Sequence, residues 1–197
     1  MTVQLKKGGY LHIGREGTFI VGLGWDPIRS WRSLLMEKFL GVPSADIDCD
    51  ASVLMLEEDG MLHGNQDVIH YGNLKSVDEG IKHTGDNLSG IGSGDDEQIL
   101  VTLDKITPRI CKLVFVVNIY NSRKRKHHFG MLNNAYIRIA ESDNNKDLVR
   151  YSLTEDYSWK TSLIVGELER RVNGWRFTAV GEGMRAENLK EIADCYI

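Results

Sequence analysis

The strongest limit on the fold is a train of short β-rich runs, each stopped by glycine, asparagine, proline or a charged cluster. Residues 2–5 and 10–13 alternate in polarity, and 18–25 (TFIVGLGW) is apolar and β-rich. Further runs follow at 52–56, 67–71, 98–103, 112–120, 131–139, 148–153, 162–172 and 175–180. Roughly ten strands at turn-spaced intervals predict an all-β chain, an antiparallel β-sandwich of two packed sheets with one or two short helices. Asn173–Gly174 is the clearest hairpin signal, because both residues accept the positive φ of a tight turn. Residues 112–120 (KLVFVVNIY) form the most apolar run and belong at a sheet centre. Gly22 and Gly24 inside an apolar strand predict a bulge or a close backbone approach.

Two stretches change period. Asp26 can cap a helix with Pro27 at its first position. Ile28, Trp31, Leu34 and Leu35 then fall on one face, which predicts a helical insertion over about 27–41 with Trp31 on a partner-binding or core-packing side. Residues 187–196 suit a short terminal helix. No repeat or long linker divides the chain, so one domain over 1–197 is expected.

Charge and cysteine usage narrow the function. The net charge of −4 gives no bulk attraction to nucleic acid. The basic run 121–128 (NSRKRKHH) lacks interleaved aromatics and reads as a solvated hairpin connection. Three dispersed cysteines without a CxxC pair predict reduced thiols. With no signal-peptide pattern and no apolar run near the roughly 18 residues of a spanning helix, a cytoplasmic protein without a transmembrane segment is expected.

The chemistry concentrates in residues 85–97 (GDNLSGIGSGDDE), which hold Asp86, Asp95, Asp96 and Glu97 among four glycines. No lysine or arginine lies between Lys82 and Lys105 to neutralise them. Crowded like charges repel, and such a loop tightens only when a cation joins it. Carboxylates, the Asn87 amide and backbone carbonyls are the hard oxygen ligands that calcium takes in groups of about six to eight. A solvated acidic turn is the competing reading, and composition alone leaves both open. Residues 46–57 (DIDCDASVLMLE) have EF-hand acid spacing but put Ala51 where the sharp turn needs glycine. A strand entered through Asp46, Asp48 and Asp50 on one face fits better. A P-loop is excluded because Asp95, not lysine, follows Gly94. No HExxH, GxSxG or nucleophile–base pattern occurs.

The segments VGLGWD (21–26), DIDCDASVLML (46–56), HTGDNLSGIGSGDDE (83–97), FGMLNNAYIRI (129–139), RYSLTEDYS (150–158), GELER (166–170) and WRFTAVGEG (175–183) resemble the TerD family of tellurium-resistance and bacterial stress-response proteins. The resemblance spans nearly the whole chain. It implies a calcium-binding β-sandwich in the bacterial cytoplasm, at or near the inner membrane face. The implied metal residues are Asp86, Asn87, Asp95, Asp96 and Glu97, with Asp26, Asp46 and Asp48 as a second wall. Implied partners are other tellurium-resistance or stress proteins, a membrane-anchored one included. The family has no established catalytic activity, so a metal-dependent binding or scaffold module is expected. The alternatives are a structural metal site and a divalent-metal enzyme acting on phosphate or nucleotide. The chain departs from the family in its longer, more apolar 27–41 segment and in Ser152, where an aspartate is common.

Overall fold

Alternation sets the layers. In Glu97–Thr102 every second residue, Glu97, Ile99 and Val101, is buried, and the residues between are half-buried. That period-two pattern gives a strand with one face on a core. The computed structural model describes residues 2–28, 47–85 and 94–197. In these residues the strands are β1 (Val3–Leu5), β2 (Tyr10–Ile13), β3 (Thr18–Pro27), β4 (Cys49–Leu56), β5 (Val68–Ile69), β6 (Ile81–His83), β7 (Glu97–Thr102), β8 (Lys112–Ile119), β9 (Leu132–Glu141), β10 (Asp147–Ser152), β11 (Ser162–Arg171) and β12 (Gly174–Met184). They form two six-stranded sheets, in the orders β1-β10-β9-β3-β7-β6 and β2-β12-β11-β8-β4-β5. Every pairing among them is antiparallel except that of β1 with β10, which is parallel.

The sheets pack face to face over a core that includes Val21, Leu23, Trp25, Ile99, Phe115, Ile137, Phe177 and Trp175. A second cluster lies on the outer face of the second sheet. There Ile192 and Ala193 of α2 (Leu189–Ala193) cover Leu54, Leu56, Val114 and Val116; the other α-helix, α1, is Ser122–Arg125. Strand β8 is therefore buried on both faces, which is why its sequence is continuously apolar from Leu113 to Val117. Asn188 caps α2 by accepting the Glu191 N–H at 3.0 Å.

Four expectations need correction. Asp26 and Pro27 do not start a helix: they continue β3, in register with Asn133 and Leu132 of β9. Strand β7 pairs with β3 only as far as Leu23. The Pro27 nitrogen thus sits where β3 has no β7 neighbour, the position at which a strand tolerates proline. Positions 29–41 of the expected helix, Trp31 included, lie outside the described residues. The basic run is not a hairpin tip: through α1 it carries the chain from β8 in one sheet to β9 in the other. Strand β6 adds to the expected set, because three residues are too few to show a period. Of the 67–71 run only Val68–Ile69 is strand, preceded by a 3₁₀ turn over Asn65–Asp67.

Candidate metal centre

The two glycines of β3 explain the outer face of the first sheet. A Cβ on Gly22 would collide with the Asp95 carboxylate, and one on Gly24 would lie 2.5 Å from the Tyr136 ring. Those two side chains lie flat against the β3 backbone, and the register shifts between Gly24 and Asp26. Both the close approach and the bulge expected from sequence are present.

Asp95 is neutralised from far away in the chain. Arg138 of β9, 8% exposed, donates through Nε to Asp95 Oδ1 at 2.7 Å and through Nη2 to Oδ2 at 2.6 Å. Gln98 Nε2 donates to Oδ2 at 2.9 Å, and the Tyr136 hydroxyl reaches Oδ1 at 3.0 Å and the Gly94 carbonyl at 2.8 Å. Burial raises the pKa of this carboxyl, but the Arg138 and Gln98 hydrogen bonds outweigh it and hold the group below its ordinary value. The same arginine donates to Asp147 Oδ1 at 2.5 Å and Asn145 Oδ1 at 2.8 Å, tying the loop end to the β9–β10 turn. Burial, then the Asp95 charge, push the Tyr136 hydroxyl up to about 12. The Arg150 guanidinium lies 3.5 Å from the centre of the Tyr136 ring.

Asp96 has a different environment. Its N–H donates to the Leu23 carbonyl at 2.8 Å, and its Oδ2 accepts the Trp25 N–H at 2.7 Å. This clamps the carboxylate to the end of β3. Asp96 and Asp26 line one hollow of about 430 Å³ with Gly94, Asn134, Tyr136 and Arg150. Asn134, at φ 54, donates to Asp26 Oδ2 at 2.8 Å. Burial and then the charges of Asp26 and Asp95 raise the Asp96 pKa, the opposite shift to its neighbour.

Glu97 turns to the interior. Its Oε2 lies 3.1 Å from His83 Nε2, with both side chains 1% exposed. His83 Nδ1 accepts the Gly85 N–H at 3.1 Å, so the proton sits on Nε2, which also reaches the Ala51 carbonyl of the other sheet at 3.2 Å. His83 is thus a strut between the sheets, joined to Gly85 and Glu97. The buried Cys49 thiol is pushed well above its usual range by burial, then by Asp50, Asp48, Asp96 and Glu97. All four carboxylates therefore act on the thiol at the start of β4.

The acids that stand together in sequence therefore divide. Asp95 faces the outer sheet surface, Asp96 and Asp26 face the end hollow, and Glu97 faces inward. Asp48 alternates away from Cys49, with its Oδ2 4.0 Å from Arg125 Nη1. Among the described residues no group of three His, Cys, Asp or Glu comes together closely enough to hold a metal. Asp46, Asp86 and Asn87 lie outside the described residues. Sequence reasoning passed over Arg138, Tyr136, Asn134 and His83. The one signal for Arg138 is its place between Ile137 and Ile139, since an arginine buried that deeply must find acids.

The TerD domain pattern matches residues 1–196. Stress response protein SCP2 of Bacillus subtilis (strain 168) is 46% identical over 201 residues, spanning 100% of both chains. Tellurium resistance protein TerD of Alcaligenes sp is 40% identical, covering 93% of this chain and 91% of its own. A solved homologue of telluride resistance protein TerD from Streptomyces coelicolor A3(2) superposes with a TM-score of 0.67 at 20% identity, over 90% of this chain and 95% of that one. At that identity the likeness speaks for the fold alone.

Proposed function

The chain belongs to the TerD domain family of tellurium-resistance and stress-response proteins, and from that premise we propose that it is a calcium-binding module that acts by docking on other proteins of the same response. The observation that carries the metal reading is the raised pKa of Asp96, whose charge adds to that of Asp26 in one hollow. A carboxylate that is partly buried beside a second one is relieved by a divalent cation between them. Arg138 neutralises Asp95, while the hollow that Asp26 and Asp96 line also holds Asn134, which donates to Asp26, and the Arg150 guanidinium.

Asp26, Asp96 and the Gly94 carbonyl fit a hard cation, since all are oxygen donors and none is a thiol or imidazole. Asp86, Asn87 and Asp46 supply the further donors in this proposal. Asp95, Glu97 and Asp48 add to the negative field around them. The ion supplies charge neutralisation and crosslinks β3 to the acidic loop. The chain's own part is to orient Asp96 through the Trp25 N–H and to hold Asp95 flat on Gly22.

Thermal melting in calcium, in magnesium and in chelator tests this. An ion bound only by the folded state stabilises it by about 2.7 kcal/mol at a hundredfold excess over its Kd. A melting temperature that rises with calcium and less with magnesium supports the proposal. Equal melting in calcium and chelator would overturn it, and calcium-dependent hydrolysis of a nucleotide would move it to the enzyme class.

A further inference from the structure

Away from the acidic loop, the outer face of the second sheet changes character along its length. Where α2 covers it, the outward residues of β4 and β8 are Leu54, Leu56, Val114 and Val116. Towards the other end they become Asp50, Ser52 and Asn118, and Asp50 stands directly opposite Asn118 in the register. All three are buried, between 1% and 8% exposed. They form the floor of a depression of about 580 Å³, within the range of small-molecule sites.

The charges around this depression are already matched. Asn118 gives its Nδ2–H to Asp50 Oδ2 at 3.3 Å, and Asp50 has a further interaction besides. Lys190 holds Asp194 at 2.6 Å, and Arg123 holds Glu187. The Arg125 guanidinium lies 5.6 Å from the centre of the Tyr120 ring. Every charged side chain that lines the space is therefore engaged. A charged occupant would lose its water without gaining a counter-charge, which is costly.

The groups left to an occupant are neutral. With its Nδ2–H on Asp50, Asn118 presents Oδ1, which only accepts, whereas Ser52 Oγ can donate or accept. Neither atom has a hydrogen-bond partner among the described residues. Polar atoms left unmet in a buried position are destabilising. The third group is His70, which lines the same space. The β4–β5 register pairs Val53 with Ile69 and Leu54 with Val68, and one step further it sets His70 beside Ser52. His70 Nδ1 accepts the Gly72 N–H at 3.1 Å, so the ring carries its proton on Nε2, as a donor. Burial, then His83, lower the His70 pKa and keep the ring neutral near neutral pH. A donor, a hydroxyl and an acceptor thus come from three neighbouring strand positions. A carboxamide carries the reverse set, a carbonyl and an N–H. Leu62, Val68 and Ala193 supply an apolar wall, and the exposed Tyr71 stands at the rim with its ring edge-on to His70 at 5.4 Å. That wall suits an aromatic body.

We infer that this depression binds a neutral aromatic amide, its N–H on Asn118 Oδ1, its carbonyl on His70 Nε2–H and Ser52 Oγ, and its ring against Leu62, Val68 and Tyr71. The inference does not depend on the calcium proposal, whose hollow is built on the first sheet. The test uses three probes of one shape, neutral benzamide, anionic benzoate and cationic benzamidine, each titrated into the whole protein and followed by amide NMR. Expected are saturable benzamide binding with a Kd of about 1 mM or tighter, shifts confined to β4, β8 and residues 68–73 and 187–197, and no saturation by the two charged probes. Ser52→Ala removes a hydroxyl without a partner in the fold, so it should leave melting unchanged and weaken benzamide about three- to tenfold. His70→Phe keeps a ring and removes the donor, and should weaken benzamide by a similar factor. Absence of saturable benzamide binding would overturn the inference. So would benzoate or benzamidine binding as tightly as benzamide, shifts centred on residues 94–97, benzamide affinity unchanged in folded Ser52→Ala, or a benzamide-soaked crystal with only an ordered water on Asn118 Oδ1.

Discussion

Arg138→Met removes the guanidinium and keeps most of the side-chain length. Two hydrogen bonds to Asp95, one to Asp147 and one to Asn145 are lost. The Asp147 side chain is 25% exposed and water replaces much of what it loses, but that of Asp95 is 1% exposed. Its charge would keep only Gln98 and Tyr136 as donors. Removing one partner of a buried pair costs about 3–5 kcal/mol, because the remaining charge stays desolvated. For a chain of this size that corresponds to a fall in Tm of roughly 6–20 °C. Urea denaturation at neutral pH in chelator measures it directly. Asp95→Asn in the Arg138→Met background should recover much of the loss, since it removes the stranded charge, and the double-mutant cycle then gives a coupling well above the error of about 0.5 kcal/mol. A loss below about 1 kcal/mol, the range of an exposed ion pair, would show that Arg138 does not neutralise a buried Asp95.

Gly22→Ala should destabilise by roughly 1–3 kcal/mol, because its Cβ would fall on the Asp95 carboxylate; wild-type melting of this variant would mean that Asp95 does not lie on β3. Asp78 accepts from Ser76 Oγ at 2.6 Å, Gly80 N at 2.9 Å and Thr107 N at 2.7 Å. Burial raises its pKa, but these bonds outweigh it and leave the group below its ordinary value. Its stabilisation is therefore complete above the unfolded value of about 3.9 and is lost as pH falls through the lower folded one. Asp78→Asn should lower stability at pH 7 and flatten the acid limb of a stability–pH curve, and an unchanged limb would contradict that assignment.

Much of the sandwich was legible because alternation and turn chemistry are local. The runs at 112–120 and 162–180 became β8, β11 and β12, although the turn between the last two falls on Val172–Asn173, one residue before the Asn173–Gly174 expected, with Gly174 already paired to Arg171. What stayed hidden depended on distant chain. Asp26–Pro27 carries a good helix-start signal, yet pairing with β9 overrides it. The loop acids look unneutralised only within their own segment, since Arg138 arrives from 43 residues away. The same partner separates Asp95 from Asp96, two adjacent residues whose pKa values move in opposite directions. The polar floor at Asp50 and Asn118 was equally invisible, because only the register of β4 with β8 brings the two together.

The most direct test of the metal proposal is a calorimetric calcium titration of wild type beside the Asp26→Asn/Asp96→Asn variant. The account predicts saturable calcium binding by wild type, weaker binding of magnesium, and a loss of about tenfold or more in the variant, which is about 1.4 kcal/mol. The variant should stay folded, because the amide oxygen introduced by Asp96→Asn can still accept the Trp25 N–H that Asp96 Oδ2 accepts at 2.7 Å. Calcium binding by the folded variant equal to wild type would contradict the claim that the ion sits between Asp26 and Asp96.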